Sequence, residues 1–203
     1  MPCLSRGQKY AVPSWDEIHA HLLDMALAIT RSGFEPDLIL GIARGGWIPA
    51  RILSDFLDTR DLASIRVEFY STLYRRLPRP IITERVSTPI LDKRLLIVDD
   101  VADTGQSLRL VQDTVSRDAK AVKTAAIFRK PWSVITPDFS ACETTAWVVF
   151  PWELYETVKT LTRRLSEEGK TFEDATSELI AIGLASSIVE RIAGETWPQG
   201  SRY

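Results

Sequence analysis

The chain has 203 residues, 45% of them hydrophobic, which is enough for one good core and an appendage. Its 25 basic and 27 acidic side chains give a net charge of −2, so no basic field recruits nucleic acid. No apolar run is long enough for a bilayer, and we expect neither a membrane span nor a signal peptide. Cys3 and Cys142 match no metal or disulfide pattern, so we expect isolated thiols and a reducing, cytoplasmic location.

The first predicted elements are a helix and a buried strand. Ser14 and Glu17 form a capping box, and an apolar stripe at helical spacing runs from Ile18 to Ile29. We expect this helix to be scaffold. Residues 36–43 are mostly apolar and predict a strand buried on both faces.

The turn after this strand is the first candidate for ligand binding. It reads Arg44-Gly45-Gly46-Trp47, and the next helix is expected to open at residues 48–50. The two glycines let the backbone approach a ligand closely, and the Arg44 guanidinium is a fixed charge suited to phosphate. Taken alone, the motif is equally typical of a plain turn.

Residues 64–70 alternate between apolar and polar side chains and predict another strand. The periodicity then fails from Ser71 to Pro89, a stretch broken by prolines. Its arginines are Arg75, Arg76, Arg79 and Arg85. Because long loops in compact domains are usually functional or mobile, we expect an excursion from the sheet. A solvated basic hairpin is the alternative.

The rest of the chain is organised around residues 95–108. A continuously apolar run to Val98 predicts a strand buried on both faces, and Asp99 and Asp100 follow where the strand is expected to emerge. The turn Asp103-Thr104-Gly105-Gln106-Ser107 then leads into a helix from Gln106 to about Arg117.

This strand, turn and helix start place backbone N–H groups at the positive end of a helix dipole, which predicts an anion site. Carboxylates beside such a site can accept hydrogen bonds from hydroxyls, bind a cation or stabilise a transition state that becomes positive. A sugar phosphate that reacts with loss of an anion provides all three. The alternative is an ordinary helix cap with solvated carboxylates.

Two more strands are predicted, over Val122–Phe128 and Ala146–Phe150. Strands that alternate with helices predict an α/β fold, with a central, mainly parallel twisted sheet flanked by helices. Ligands of such sheets collect at the carboxyl ends of the strands. The residues that follow strand ends are Arg44, Asp99, Asp103 and Lys130.

The composition changes after Glu153, where three helices are predicted. We therefore expect residues 1–153 to form a core and residues 154–203 to form a helical extension. The last two helices suggest a helix-turn-helix. Acidic residues outnumber basic ones there, which is a poor footprint for DNA. We expect the extension to pack on the core or on a neighbouring subunit.

The stretch Leu95–Leu108 resembles the phosphoribosyl-pyrophosphate (PRPP) motif of type I phosphoribosyltransferases: an apolar strand, two acids, two small apolar residues and Asp-Thr-Gly. The resemblance ends near Trp152 to Tyr155. It implies the family's fold with a small base-binding hood, PRPP as a substrate, Mg²⁺ as a cofactor and a homo-oligomer, either dimer or tetramer. It also implies a lid within residues 71–89 and a cis peptide at Ala43–Arg44 or Arg44–Gly45.

The resemblance also implies roles for single residues. The 5′-phosphate is expected on the amides and hydroxyls of Thr104, Gly105, Gln106 and Ser107. Asp99 and Asp100 are expected to hold the ribose hydroxyls, and one of them to contact Mg²⁺ directly or through water. Arg44 and the Gly45 amide are expected to bind pyrophosphate. Asp103 is expected to belong to the PRPP-binding residues and to accept or orient the N7 proton of a purine while N9 attacks.

Residues 126–131, followed by Trp147-Val148 and Pro151-Trp152, look like the xanthine–guanine (6-oxopurine) branch of the family. This implies Lys130 as the donor to O6, Trp147 as the stacking platform and the Val148 backbone at the 2-position edge. Independently, a lysine ammonium only donates hydrogen bonds, so it suits a 6-oxo group and opposes the 6-amino group of adenine.

We therefore predict a cytoplasmic purine salvage enzyme that makes a mononucleotide from guanine, xanthine or hypoxanthine, and no nucleic-acid or membrane partner. Two alternatives stay open. One is a transcriptional regulator that senses PRPP or a nucleotide and uses the carboxy-terminal helices. The other is a phosphoribosyltransferase for another base.

Overall fold

The computed structural model describes residues 9–70 and 79–198, which divide into two compact units. The described part of the first unit is residues 18–70 and 79–144, and that of the second is residues 9–17 and 145–198. The functional division between residues 153 and 154 stays a prediction.

The helices and strands alternate along most of the chain. In order they are β1 (Tyr10–Ala11), α1 (Trp15–Arg31), β2 (Leu38–Ala43), α2 (Trp47–Phe56), β3 (Leu62–Tyr70), β4 (Arg79–Glu84), β5 (Arg94–Ala102), α3 (Gln106–Val115), β6 (Ala121–Arg129), β7 (Phe139–Glu143), β8 (Trp147–Val148), α4 (Leu154–Glu167), α5 (Phe172–Ala181) and α6 (Ser186–Thr196). Ser14 caps α1 as predicted: Glu17 Oε2 accepts from the Ser14 N–H at 2.8 Å, and the Glu17 N–H donates to Ser14 Oγ at 3.2 Å.

The first unit is built on a six-stranded sheet in the order β4-β3-β2-β5-β6-β7. Every neighbouring pair is parallel except β3 with β4, which is antiparallel. The predicted fold class, a mainly parallel α/β sheet flanked by helices, is confirmed. Strand β5 lies between β2 and β6, so the carboxyl ends of these three strands meet at one edge of the sheet.

Apolar runs explain why β2 and β5 lie at the centre of this sheet. On one face, Leu40 and Ile97 are fully buried in a cluster that includes Val111 of α3. On the other face Gly41 lies against α2, where a Cβ atom at this position would be 3.0 Å from that of Ala50. Helices therefore cover both faces, as parallel sheets require.

The structure corrects the prediction that Asp99 and Asp100 follow the strand. Strand β5 continues to Ala102 because its parallel ladder with β6 extends to the pair Ala102 with Arg129. Both carboxylates therefore project from within the strand, where the backbone fixes them more firmly than a loop would.

Two further strands differ from the prediction. Strand β4 lies within the predicted excursion of residues 71–89, where it pairs with β3 and alternates exposed with partly buried residues. Strand β7 occupies the edge beside β6. The predicted strand at residues 146–150 is only Trp147–Val148, and it pairs with β1 in a separate two-stranded sheet. Residues 71–78, with Arg75 and Arg76, lie outside the described residues.

The expectation of an isolated thiol at Cys142 is wrong, because this buried residue of β7 is disulfide-bonded. Cys3 lies outside the described residues. Cysteine spacing along a sequence does not report distance in space, which decides whether a disulfide can form. None of the described helices combines the length and apolar character that a membrane span requires.

The second unit combines β1 and β8 with helices α4, α5 and α6. Its core includes Val149, Val158, Leu179 and Val189, all nearly inaccessible to solvent. Thr171 caps helix α5: its hydroxyl accepts from the Asp174 N–H at 3.1 Å.

Candidate active site

The acidic pair near the end of β5 is held by its own backbone. Asp99 Oδ1 accepts from the Asp100 N–H at 3.1 Å, and Asp100 Oδ1 accepts from the Val101 N–H at 2.7 Å. The Asp100 residue is only 8% exposed. These bonds limit the rotation of the carboxylates and present two oxygen-rich groups at fixed positions.

The loop after β2 packs directly on this pair. Its Ala43–Arg44 peptide bond is cis, at one of the two predicted positions. A Cβ atom at Gly45 would overlap the Asp100 carboxylate, and one at Gly46 would overlap the Val98 carbonyl oxygen. Both glycines therefore let the loop pack closely against β5, and their approach to a ligand stays a prediction.

The turn after β5 presents the start of α3. Gly105 is the N-cap residue at φ 74°, and it has no side chain to cap the helix. The Thr104 hydroxyl accepts from the Gln106 N–H at 3.4 Å. Because the N-cap residue itself offers no side-chain acceptor, the first turn of α3, at the positive end of the helix dipole, suits an anion.

A second loop is attached to this turn on both sides of Asp103. The Lys130 N–H donates to the Ala102 carbonyl at 3.0 Å, and the Val134 N–H donates to the Thr104 carbonyl at 2.9 Å. Between these two bonds, Trp132 Nε1 donates to Asp103 Oδ1 at 3.2 Å. We call residues 130–134 the clamp loop.

Lys130 is buried at the start of the clamp loop, with 6% of its surface exposed. Burial lowers the pKa of its ammonium group, while the nearby Asp103 carboxylate acts in the opposite direction. The ammonium nitrogen lies 5.6 Å from the centroid of the Trp132 ring, within the range of a cation–π contact.

Trp147 and Val148 belong to the second unit, where they form β8. The Trp147 N–H donates to the Lys9 carbonyl at 2.9 Å, and the Val149 N–H donates to that of Ala11 at 2.8 Å. Because successive peptide groups of a strand point in opposite directions, the Val148 N–H points away from β1. The Trp147 residue is 63% exposed.

The structure thus gathers most of the predicted residues at the carboxyl ends of β2, β5 and β6. These residues of the first unit are Arg44, Gly45, Asp99, Asp100, Asp103, Thr104, Gly105, Gln106, Ser107 and Lys130. Sequence reasoning missed Trp132. The only signal was an indole two residues after the lysine, and its contact with Asp103 depends on how the clamp loop folds back.

The donor set fits a magnesium ion that shares its coordination with a substrate. Asp99 and Asp100 supply the hard oxygen ligands that Mg²⁺ prefers. Among the described residues, no group of three or more acidic, histidine or cysteine side chains could hold a metal. The ion would therefore take further oxygens from phosphate and water.

An α/β sheet with an uncapped helix start, an acidic pair and an arginine loop at one edge is the arrangement expected of a transferase for a phosphorylated sugar. Residues 14–158 match the family described as "Phosphoribosyl transferase domain". The chain belongs to this phosphoribosyltransferase family, as the sequence motif indicated, and it is an enzyme.

Similar proteins agree with this assignment. A xanthine-guanine phosphoribosyltransferase of Cereibacter sphaeroides is 32% identical over 70% of this chain and 85% of its own length. The one from Gluconobacter oxydans is 32% identical over 71% and 84%. The crystal structure of a purine phosphoribosyltransferase from Pyrococcus horikoshii matches with a TM-score of 0.64 and 37% identity, covering 71% of this chain and 94% of that one.

Proposed function

We propose that the enzyme transfers the phosphoribosyl group of PRPP to N9 of a 6-oxopurine, namely guanine, xanthine or hypoxanthine, and releases pyrophosphate. One observation carries the proposal: the Arg44 loop, the acidic pair and the start of α3 all lie at the carboxyl ends of adjacent parallel strands. The similarity to purine and xanthine-guanine phosphoribosyltransferases supports the choice of base.

The start of α3 is proposed to bind the 5′-phosphate. The amides of Thr104 and Gly105 directly precede α3 and those of Gln106 and Ser107 begin it, where the helix dipole favours an anion. The hydroxyls of Thr104 and Ser107 would add donors. Gly105 supports this role because its left-handed φ lets the chain turn tightly into the helix.

The acidic pair is proposed to bind the ribose, and the loop after β2 to bind pyrophosphate. Asp99 and Asp100 would accept hydrogen bonds from the 2′- and 3′-hydroxyls and hold Mg²⁺ directly or through water. When bound, Mg²⁺ neutralises charge on the pyrophosphate oxygens. Arg44 and the Gly45 amide would stabilise the same charge as it grows in the transition state.

Asp103 and Lys130 are proposed to act on the base. As the bond from C1′ to the pyrophosphate oxygen breaks, the purine N9 attacks C1′, which carries positive charge. Asp103 would accept the N7 proton at this step or orient it. Lys130 would donate to O6 of the purine, a contact that an adenine amino group cannot accept.

The remaining assignments rest on the family resemblance. Trp147 is proposed to stack on the purine, and the outward direction of the Val148 N–H suits a contact with the 2-position edge. We also propose a homo-oligomer (dimer or tetramer) and a location in the cytoplasm.

Initial rates with guanine, hypoxanthine, xanthine and adenine, each with PRPP and Mg²⁺, test the function. We expect formation of the mononucleotide from at least one 6-oxopurine and at most trace formation from adenine. Chelation of Mg²⁺ should abolish the activity. Equal rates with adenine would contradict the role of Lys130, and no rate with any purine would overturn the proposed function.

A further inference from the structure

We propose that Trp132 is a positioning residue that acts through Asp103. The inference rests on the proposed function, in which Asp103 receives or orients the purine proton. The indole Nε1–H donates to Asp103 Oδ1 at 3.2 Å. An indole nitrogen can donate but not accept, so its hydrogen bond is made to the carboxylate as an acceptor.

The backbone holds this contact in place from both sides. The Lys130 N–H and the Val134 N–H each donate to a carbonyl that flanks Asp103, at 3.0 and 2.9 Å. Trp132 lies at the middle of this five-residue loop, so its indole faces Asp103 at the middle of the opposing segment, residues 102–104. The Ser133 hydroxyl also donates to the Ile135 carbonyl at 2.9 Å, which fixes the far end of the loop.

Gly105 makes the close approach possible. A Cβ atom at this position would overlap Ser133 Oγ and lie 2.8 Å from Ile135 Cγ2. The residue that opens α3 toward the phosphate therefore also admits the clamp loop. As a result, the indole, the carboxylate and the proposed phosphate site share one rigid frame.

The same indole contacts the second polar group of the proposed base site. The Lys130 ammonium lies 5.6 Å from its ring centroid. One face of the ring can therefore orient the ammonium while the ring edge orients the carboxylate. Because Trp132 is 54% exposed, replacing it opens no cavity in the core.

The experiment compares Trp132→Phe with Asp103→Asn and the double variant. Phenylalanine keeps an aromatic face for Lys130, removes the N–H donor and is one ring smaller than the indole. We expect kcat to fall about tenfold, as for the loss of a hydrogen bond to a charged group, with KM for PRPP unchanged. In the Asp103→Asn background the same change should lower kcat less than twofold, because there is no carboxylate left to orient.

Trp15→Phe is the matched control, since Trp15 is similarly exposed at 51% and has no assigned role. It should leave kcat unchanged. If Trp132→Phe keeps the wild-type kcat while Asp103→Asn loses most of it, the inference is overturned and the proposed function stays intact. Equal losses from Trp132→Phe in both backgrounds would show a merely structural role. Full turnover by Asp103→Asn would overturn both the inference and the assigned role of Asp103.

Discussion

Gly45 lies so close to Asp100 that a Cβ atom on the glycine would overlap the aspartate carboxylate. The loop that follows β2, which contains the cis peptide bond Ala43–Arg44, touches the acidic pair of β5 at this point. Gly45, proposed to bind pyrophosphate, and Asp100, proposed to bind ribose, are thus in direct contact. A change that moves one of these residues will therefore also move the other.

Gly45→Ala should therefore impair catalysis. The added methyl group forces the loop or the Asp100 side chain to move, and a misplacement of about 1 Å can cost about 100-fold in rate. We expect a loss of this order in kcat/KM for PRPP, measured at saturating purine. Gly194→Ala is the control, because this residue of α6 has open space around it and no left-handed φ. Equal activity of both variants would contradict the prediction.

Asp103→Asn should separate turnover from binding. The amide keeps the size of the side chain but is a far weaker proton acceptor, so kcat should fall by about 100-fold to 10,000-fold. KM for PRPP should stay within a factor of about two, because the proposed role is made only in the transition state. Parallel losses in kcat and in PRPP affinity, the latter from equilibrium binding, would indicate an aspartate that only supports the fold.

Lys130 should set a limit on activity at alkaline pH. Burial lowers the pKa of its ammonium, so the native protein loses this proton at a lower pH than the unfolded chain does. Activity with a 6-oxopurine should decline as pH rises through this lowered value, because the donor to O6 then loses its charge. The pH–rate profile measures the decline.

Lys130→Met removes both the charge and the titration. The rate with a 6-oxopurine should fall strongly at every pH, and the alkaline decline should disappear from the residual activity. Discrimination against adenine should weaken as well, since no buried cation is then left facing an amino group. A variant that keeps the wild-type preference would place the specificity elsewhere.

Asp37 should contribute to stability in an acid-sensitive way. Hydrogen bonds from the Arg94 side chain and backbone lower the pKa of Asp37 to about 2. A lowered carboxyl pKa stabilises the fold above the unfolded value near 3.8, and the contribution is lost as pH falls toward 2. The Asp37 side chain is 38% exposed. We therefore expect Asp37→Asn to cost at most about 1 kcal/mol near neutral pH.

Urea unfolding at several pH values tests this. The difference between wild type and Asp37→Asn should shrink between pH 4 and pH 2, where the wild-type carboxylate takes up its proton. Lys170, which pairs with Glu178 on an exposed surface of the second unit, offers a control in Lys170→Gln. A difference for Asp37→Asn that is constant with pH would contradict the assigned pKa direction.

Local patterns in the sequence predicted the central strands and the position of most candidate site residues at the ends of these strands. The apolar run before Asp99 and the glycine before α3 each specify an element without reference to the rest of the chain. Strand β4 was anticipated only in the alternative, a solvated basic hairpin, because only its pairing with β3 makes a proline-containing, half-exposed segment extended. Strand β7 was missed for the same kind of reason, as its ladder with β6 is a tertiary contact.

Trp132 and Cys142 illustrate contacts that no spacing rule reports. The indole reaches Asp103, which lies 29 positions earlier, only because two backbone hydrogen bonds fold the clamp loop onto it. Cys142 is disulfide-bonded although neither cysteine belongs to a recognisable pattern. Both contacts are set by distances in the folded chain.

The attachment of the clamp loop to the Asp103 turn has a consequence for protein engineering. Lys130, proposed to recognise the base, and Asp103, proposed to accept its proton, lie on two segments that are hydrogen-bonded to each other. A change made for substrate preference is therefore expected to change the reaction rate as well. Grafting a new base specificity onto this scaffold would require exchanging residues 102–105 and 130–135 as one cassette. A clamp loop taken from another enzyme and inserted alone would lack the turn against which it packs.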